Sequence, residues 1–364
     1  LQLKIIEKPI SLMKPAITEI MPIKLTQYSI AGGCGCKVPN NQLSDIIRNI
    51  STPDNPMVLS DFRNNEDAAV VKIDDDNCMV YSLDFFTPIV DDPELFGRIA
   101  AANAISDIYA SAATPLFALS ILGYPRELDG TDIAGKIIKG ASDLCHELNI
   151  NILGGHTIYN PQIFFGMSIT GTAKISQLKL NDKACVGDLI YHTKPIGTGI
   201  MATALKKGVL FPDDEEILIN YLKKANDFGL LLAKYDFVHS MTDITGFGLI
   251  GHLGEICQAS NVSARIDFNK VQLLPNLDEY VEMGLLTAGG KTNRQNYCQS
   301  LNGLSESTTA IISDPQTNGG LLIMVAKESR QAFEAILTAN GLEDFATPIG
   351  EITEKGQLLI EVIE

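Results

Sequence analysis

Two thiols and an ammonium group are interleaved with glycines near the start of the sequence, at Gly32-Gly33-Cys34-Gly35-Cys36-Lys37. Glycine lets a backbone approach a ligand closely or flap on and off it. A thiolate is both a nucleophile and a ligand for soft elements, and a neighbouring ammonium such as that of Lys37 favours the thiolate form. Cys34 and Lys37 are therefore candidate catalytic residues, suited to handling sulfur or selenium beside phosphate. A surface loop with two incidental thiols accounts for the same C-x-C pair.

A second set consists of isolated aspartates at the edges of apolar segments. Asp67 precedes Ala-Ala-Val-Val, Asp84 follows Val-Tyr-Ser-Leu, Asp107 lies in Asn-Ala-Ile-Ser-Asp-Ile-Tyr-Ala, and Asp243 lies in Met-Thr-Asp-Ile-Thr-Gly-Phe-Gly. A carboxylate among apolar residues is costly unless a charge pairs with it, and too few Lys and Arg lie nearby to serve all of these. Hard cations such as Mg2+ take oxygen ligands from carboxylates and substrate phosphates, so the aspartates could jointly hold a metal nucleotide. Each one taken alone reads more readily as a helix-cap or turn residue, and only several at once make the metal reading competitive.

Three glycine-rich segments have the composition of turns that can shape a site. Leu153-Gly154-Gly155-His156-Thr157 follows an apolar strand and reads as a loop whose amides could face an oxyanion. Gly197-Thr198-Gly199 and Asp314-Pro315-Gln316-Thr317-Asn318-Gly319-Gly320 are of the same kind. Familiar ATP signatures fail: Gly290-Lys291-Thr292 resembles the end of a P-loop, but Leu285 stands where its first glycine belongs. No kinase motif set and no nucleophile elbow is present, so any use of ATP needs a less common fold.

The elements that must position these residues read as an α/β or α+β mixture. Strands are expected at Ala68–Ile73, Cys78–Leu83, Leu116–Leu122 and Gln162–Ile175, with helices at Gly97–Ala110 and Asp132–Leu148. A polar stretch from Ser176 to Lys183 reads as a domain boundary. Beyond it come strands at Asp188–His192, Ser263–Phe268, Thr309–Ile312, Leu321–Val325 and Leu358–Val362. Helices are expected within Asp213–Lys234, at Gly246–Ser260 and at Arg330–Asn340. The 364 residues fit two domains, and 45% hydrophobic with 20% charged residues is the composition of a folded protein. A net charge of −16 without a basic cluster argues against nucleic acid, and no apolar run is long enough for a membrane helix. Seven scattered cysteines suit reduced thiols in the cytoplasm, and no second pair completes a structural zinc site with Cys34 and Cys36. Leu1 to Pro22 reads as neither a signal nor a transit peptide.

Taken in order, the segments resemble the selenophosphate synthetase family from about Leu25 to Glu364. The resemblance rests on Leu25-Thr26-Gln27-Tyr28-Ser29 leading into Gly33-Cys34-Gly35-Cys36-Lys37, and on Asp84-Phe85-Phe86-Thr87-Pro88-Ile89-Val90-Asp91. Gly97-Arg98-Ile99-Ala100 through Asn103-Ala104-Ile105-Ser106-Asp107, Met241 to Gly248 and Asp314-Pro315-Gln316-Thr317 complete it. It implies the fold of aminoimidazole ribonucleotide synthetase: an N-terminal sheet domain that forms a homodimer and a C-terminal α/β sandwich. The corresponding division is 1–24 of unknown role, 25–176 with a mobile loop at 30–40, and 177–364. The implied reaction converts ATP, selenide and water into selenophosphate, AMP and orthophosphate. By the same resemblance Cys34 and Lys37 are catalytic, and Asp67, Asp107 and Asp243 hold Mg2+. ATP falls to Lys37, Asn64, Asn65, Glu66, Asp84, Asp107, Gly155, His156 and Thr157, and a selenium-delivery protein is among the implied partners. The sequence departs from many bacterial members at Ile30, where they carry His, and at Asn64-Asn65-Glu66, where they carry Thr-Arg-Asp. A kinase of an alcohol or phosphate group would have no use for the Gly-Cys-Gly-Cys-Lys loop. The alternative from another class is a non-catalytic, nucleotide-binding selenium carrier or regulatory paralogue.

Overall fold

A computed structural model describes residues 23–29, 32–38, 40–61 and 66–364. After helix α1 (Asn40–Ile47), the first half builds one six-stranded sheet from β1 (Val58–Ser60), β2 (Ala69–Lys72), β3 (Asn77–Phe86), β4 (Thr114–Tyr124), β5 (Asn151–Tyr159) and β6 (Phe164–Lys174). Its spatial order is β1-β2-β3-β6-β4-β5, antiparallel except for the parallel β4–β5 pair. Helices α2 (Pro93–Ala110) and α3 (Ile133–Glu147) belong to the same half.

Alternation along β3 decides where its side chains go. Tyr81, Leu83 and Phe85 face outward and are exposed, whereas Ser82 and Phe86 are buried and Asp84 is half-buried on the inner face. α2 covers that inner face. It starts where Pro93 stands at the first turn and Asp92 Oδ1 accepts the amide of Leu95 at 2.7 Å. Its small and apolar residues are buried nearly all round, as expected of a helix enclosed on every side. The crossing with α3 is close enough to require glycine: a Cβ on Gly97 would lie 1.8 Å from the carbonyl oxygen of Ile137, and one on Gly140 1.8 Å from that of Glu94.

The second half forms another six-stranded sheet, from β7 (Leu189–His192), β8 (Val238–Asp243), β9 (Ser263–Asp267), β10 (Leu321–Val325), β11 (Gly350–Thr353) and β12 (Ile360–Ile363), in the order β12-β9-β11-β7-β10-β8. Its helices are α4 (Thr198–Lys207), α5 (Pro212–Leu222), α6 (Phe228–Leu232), α7 (Gly248–Ala259), α8 (Leu277–Glu282), α9 (Ala288–Asn296), α10 (Glu306–Ile312) and α11 (Arg330–Ala339). Strand β8 packs against α2, so that helix is shared between the two sheets. Among the described residues, no helix is long and apolar enough to cross a membrane.

Two expected elements are of another type. Thr309–Ile312, β-branched and apolar, is the end of α10 rather than a strand, because Ser305 Oγ accepts the amide of Thr308 at 3.1 Å and caps a helix there. Leu153–Thr157 is not a loop: strand β5 continues through both glycines, paired with β4 from Leu119↔Gly154 to Leu122↔Thr157. Gly290-Lys291-Thr292 lies within α9 and makes no phosphate loop.

Candidate active site

Helical spacing brings Asn103, Ser106 and Asp107 to one side of α2 as i, i+3 and i+4. Asp107 accepts a short hydrogen bond from Ser82 Oγ of β3, and Ser106 Oγ donates another to Asp243 at the end of β8. Asp67, just before β2, is held by Thr242 Oγ1 at 2.9 Å. One carboxylate oxygen from each of Asp67, Asp107 and Asp243 lies within 4.8 Å of the others. The sequence separates these groups by up to 176 residues, and the two sheets close that distance around α2.

Burial pushes the Asp67 and Asp107 carboxyls well above the usual range, and each of them is raised further by the charge of Asp243. Burial raises Asp243 as well, against the bond from Ser106. Its Oδ1 is buried and has no hydrogen-bond partner. Three repelling carboxylates with an orphaned oxygen are the donor set of a hard divalent cation, so the residues present fit Mg2+.

A glycine-rich turn, the lid, lies over this floor. Gly33–Cys36 forms one 3-10 turn, with Gly33 at φ +60° and a Cβ there only 2.2 Å from Thr317 Oγ1. The Cys34 amide donates to Thr317 Oγ1 at 3.1 Å, and Gly33 N donates to the Thr87 carbonyl at 3.0 Å. Cys34 is 1% exposed, and its Sγ donates to Asn103 Oδ1 at 3.2 Å. Burial pushes this thiol far up, outweighing the opposing effect of Lys37. The turn therefore holds a protonated thiol, not the thiolate expected from the adjacent lysine. Lys37 Nζ sits 3.0 Å from Asp84 Oδ1. Burial would lower its pKa, yet the carboxylates of Asp84 and, further off, Asp107 hold it well above the ordinary value.

Asn103 joins lid and floor. Its Nδ2 donates to Asp84 Oδ2 at 2.7 Å, and its Oδ1 accepts from Cys34 Sγ and from the Asn318 amide at 2.9 Å. Asn318 belongs to the Asp314–Gly320 segment, whose Gln316 Oε1 accepts the amides of Gly197 and Thr198 at 2.9 Å. Those two turns thus brace the lid from behind. The sequence assigns no role to Asn103, Ser82, Ser106, Thr242 or Thr317, because a neutral polar residue draws no attention by itself, although all but Ser82 lie in segments that carry the family resemblance.

Between lid and floor opens a cavity of about 690 Å³, with Lys37, Glu66, Asp67, Asp84, Asp107 and Phe247 among its walls, a size within the roughly 300–1,000 Å³ of small-molecule sites. Glu66 accepts the Asn181 amide at 3.1 Å, and burial pushes its carboxyl up to about 7. Cys34, Lys37, Glu66, Asp67, Asp84, Asp107 and Asp243 are therefore together. Gly155, His156 and Thr157 are not: they stand exposed on edge strand β5, with β6 and β4 between them and β3. Ile30, Asn64 and Asn65 lie outside the described residues.

Two family models match successive stretches of the chain: AIR synthase related protein, N-terminal domain, over residues 65–173, and the C-terminal domain of the same class over 186–363. A HypE–HypF complex superposes with a TM-score of 0.65 at 18% identity, covering 89% of this chain and 96% of that one. AaThiL complexed with AMPPCP and TMP gives 0.64 at 19%, covering 89% and 93%. Sheets, helices and family models thus define an AIR synthase-related protein of two domains.

The selenide, water dikinase of Aeromonas hydrophila is 44% identical over 344 residues, 94% of this chain and 99% of its own. That of Colwellia psychrerythraea is 42% identical over 331 residues, 91% and 96% respectively. The chain belongs to the selenide, water dikinase family.

Proposed function

We propose that the protein is a selenophosphate synthetase that converts ATP, selenide and water into selenophosphate, AMP and orthophosphate. The observation that carries this reading is the placing of a buried thiol and a lysine directly above three mutually repelling carboxylates, in a cavity large enough for a nucleotide. Asp67, Asp107 and Asp243 would hold Mg2+, which when bound neutralises charge on the phosphoryl oxygens. Asp84 keeps the Lys37 ammonium aimed into the cavity until a phosphate competes for it. Asn103 Oδ1 accepts the Cys34 S–H, and the closed lid shields the thiol from water. For selenium to reach Cys34 the lid must open, which breaks only the few polar bonds that hold Gly33 to Lys37. We divide the chain functionally at residues 176 and 177, with the lid at 30–40 serving the first part.

The same reading includes a homodimer. Tyr81, Leu83 and Phe85 on β3, Leu119 on β4 and Leu153 on β5 leave one face of the first sheet apolar and exposed, which a second copy could cover. Gly155, His156 and Thr157, remote from the site within one chain, would then contact nucleotide from the partner copy. All seven cysteines are free, in keeping with a reducing, cytoplasmic setting and a selenium-delivery partner.

Anaerobic incubation with ATP, Mg2+ and selenide, followed by phosphorus NMR, tests the proposal. Selenide-dependent appearance of selenophosphate with AMP is expected. ATP left unchanged by folded protein would favour the non-catalytic carrier.

A further inference from the structure

A second cluster of ligand-type side chains lies at the other end of β8 from Asp243. Cys185 and Asp188 come from the turn that leads into β7, and His239 from the second position of β8. Register explains the meeting: Leu189 and Val238 both pair with Val325 of the intervening strand β10, so residues next to each of them converge at that end of the sheet.

The turn is built to keep its shape. Cys185 N donates to Asp188 Oδ2 at 2.8 Å, Asp188 N donates to the Cys185 carbonyl at 3.0 Å, and Gly187 between them has φ +96°. Hydrogen bonds of 2.8 Å to and from Ile352 tie the turn to β11. Asp188 is 2% exposed, and His239 Nδ1 lies 2.8 Å from its Oδ1. Burial raises the Asp188 carboxyl, against the hydrogen bond from the Cys185 amide and the neighbouring His239. Cys185 is exposed. One ligating atom from each of Cys185, Asp188 and His239 lies within 4.8 Å of the other two.

We infer that Cys185, Asp188 and His239 form a binding site for a borderline-soft divalent cation of the Zn2+ type, separate from the carboxylate floor. Sulfur, nitrogen and oxygen donors together suit Zn2+ and not Mg2+, which takes oxygen ligands. Three protein ligands with one of them exposed leave a fourth position open to water. On binding, the Cys185 S–H bond breaks, the sulfur–metal bond forms, and the proton passes to solvent, while His239 binds in its neutral form. Affinity therefore rises with pH.

Co2+ titrated into the full chain, with Mg2+ in excess to occupy the carboxylate floor, provides the test. One equivalent is expected to give a thiolate-to-metal charge-transfer band that added Zn2+ bleaches. Cys185→Ser should abolish the band and weaken Co2+ binding by at least about tenfold, with His239→Ala weakening it to a similar degree. The double variant Cys34→Ser with Cys36→Ser should keep the band. Cys185 is exposed, so its serine variant retains the fold, which a melting curve checks. Absence of the band in the parent protein, its survival in Cys185→Ser, or its loss in the double variant would each overturn the inference.

Discussion

Lid and floor of the cavity are built in opposite ways. The floor takes its carboxylates from a strand end, a helix and a residue at the start of a strand, each braced by a hydroxyl from another element: Ser82, Ser106 or Thr242. The lid is a single 3-10 turn held by bonds to Thr317, Thr87, Asn103 and Asp84. Charges that repel each other must be fixed by packed elements, because they would otherwise separate. The proposed opening of the lid needs only a handful of polar bonds to be exchanged for water, at small net cost.

The largest effect should follow from damage to the floor. Asp243→Asn keeps the shape and a partner for Ser106 but removes one charge of the proposed Mg2+ site, so selenophosphate formation should fall about 10³-fold. Its melting temperature without Mg2+ should not drop, because the amide relieves repulsion; a marked drop would mean that the carboxylates stabilise the fold rather than await a cation.

Damage to the lid comes next. Lys37→Ala and Cys34→Ser should each cut turnover about 10²-fold or more, with an unchanged melting curve. Turnover like that of the parent in both would remove the lid from the chemistry. Asn103→Ala tests the link between the two parts. It leaves the Asn318 amide buried without its acceptor and should cost about 1–3 kcal/mol of stability, read by denaturant unfolding, together with a loss of turnover.

The smallest effect lies behind the floor. Burial lowers the Lys194 ammonium to about 7 from its usual 10.5, although Asp243 opposes the shift and the Lys224 and Asn318 carbonyls accept its protons at 2.7 and 2.9 Å. Between those two values the unfolded chain binds more protons than the folded one, so this residue makes stability rise with pH across that window. In Lys194→Met the rise should be absent, as chemical denaturation at several pH values would show.

How far the sequence foretold this arrangement differs between the same two parts. Asp67, Asp107 and Asp243 stood out because a carboxylate in an apolar run needs a reason, and the structure brings them together. Their supporting hydroxyls and Asn103 were silent, since a neutral polar residue carries no comparable penalty. The protonation of Cys34 was misjudged because Lys37 is visible in the sequence whereas complete burial is not. At the level of elements, β3 was expected at Cys78–Leu83 and runs from Asn77 to Phe86, and α2 was expected from Gly97 and starts at Pro93. Thr309–Ile312 became helix because a capping serine outweighed β-branched composition, and β5 ran through Gly154 and Gly155 because pairing with β4 overrode their turn preference.

The backbone-to-backbone crossing at Gly97 and Gly140 limits how this protein can be altered. Two helices in direct main-chain contact have no side-chain cushion with which to absorb a change of size. Helix α2 therefore acts as a fixed datum from which Asn103, Ser106 and Asp107 are all measured. Attempts to redirect the enzyme toward a different acceptor should leave that axis untouched and begin with the glycine-rich turn that faces it.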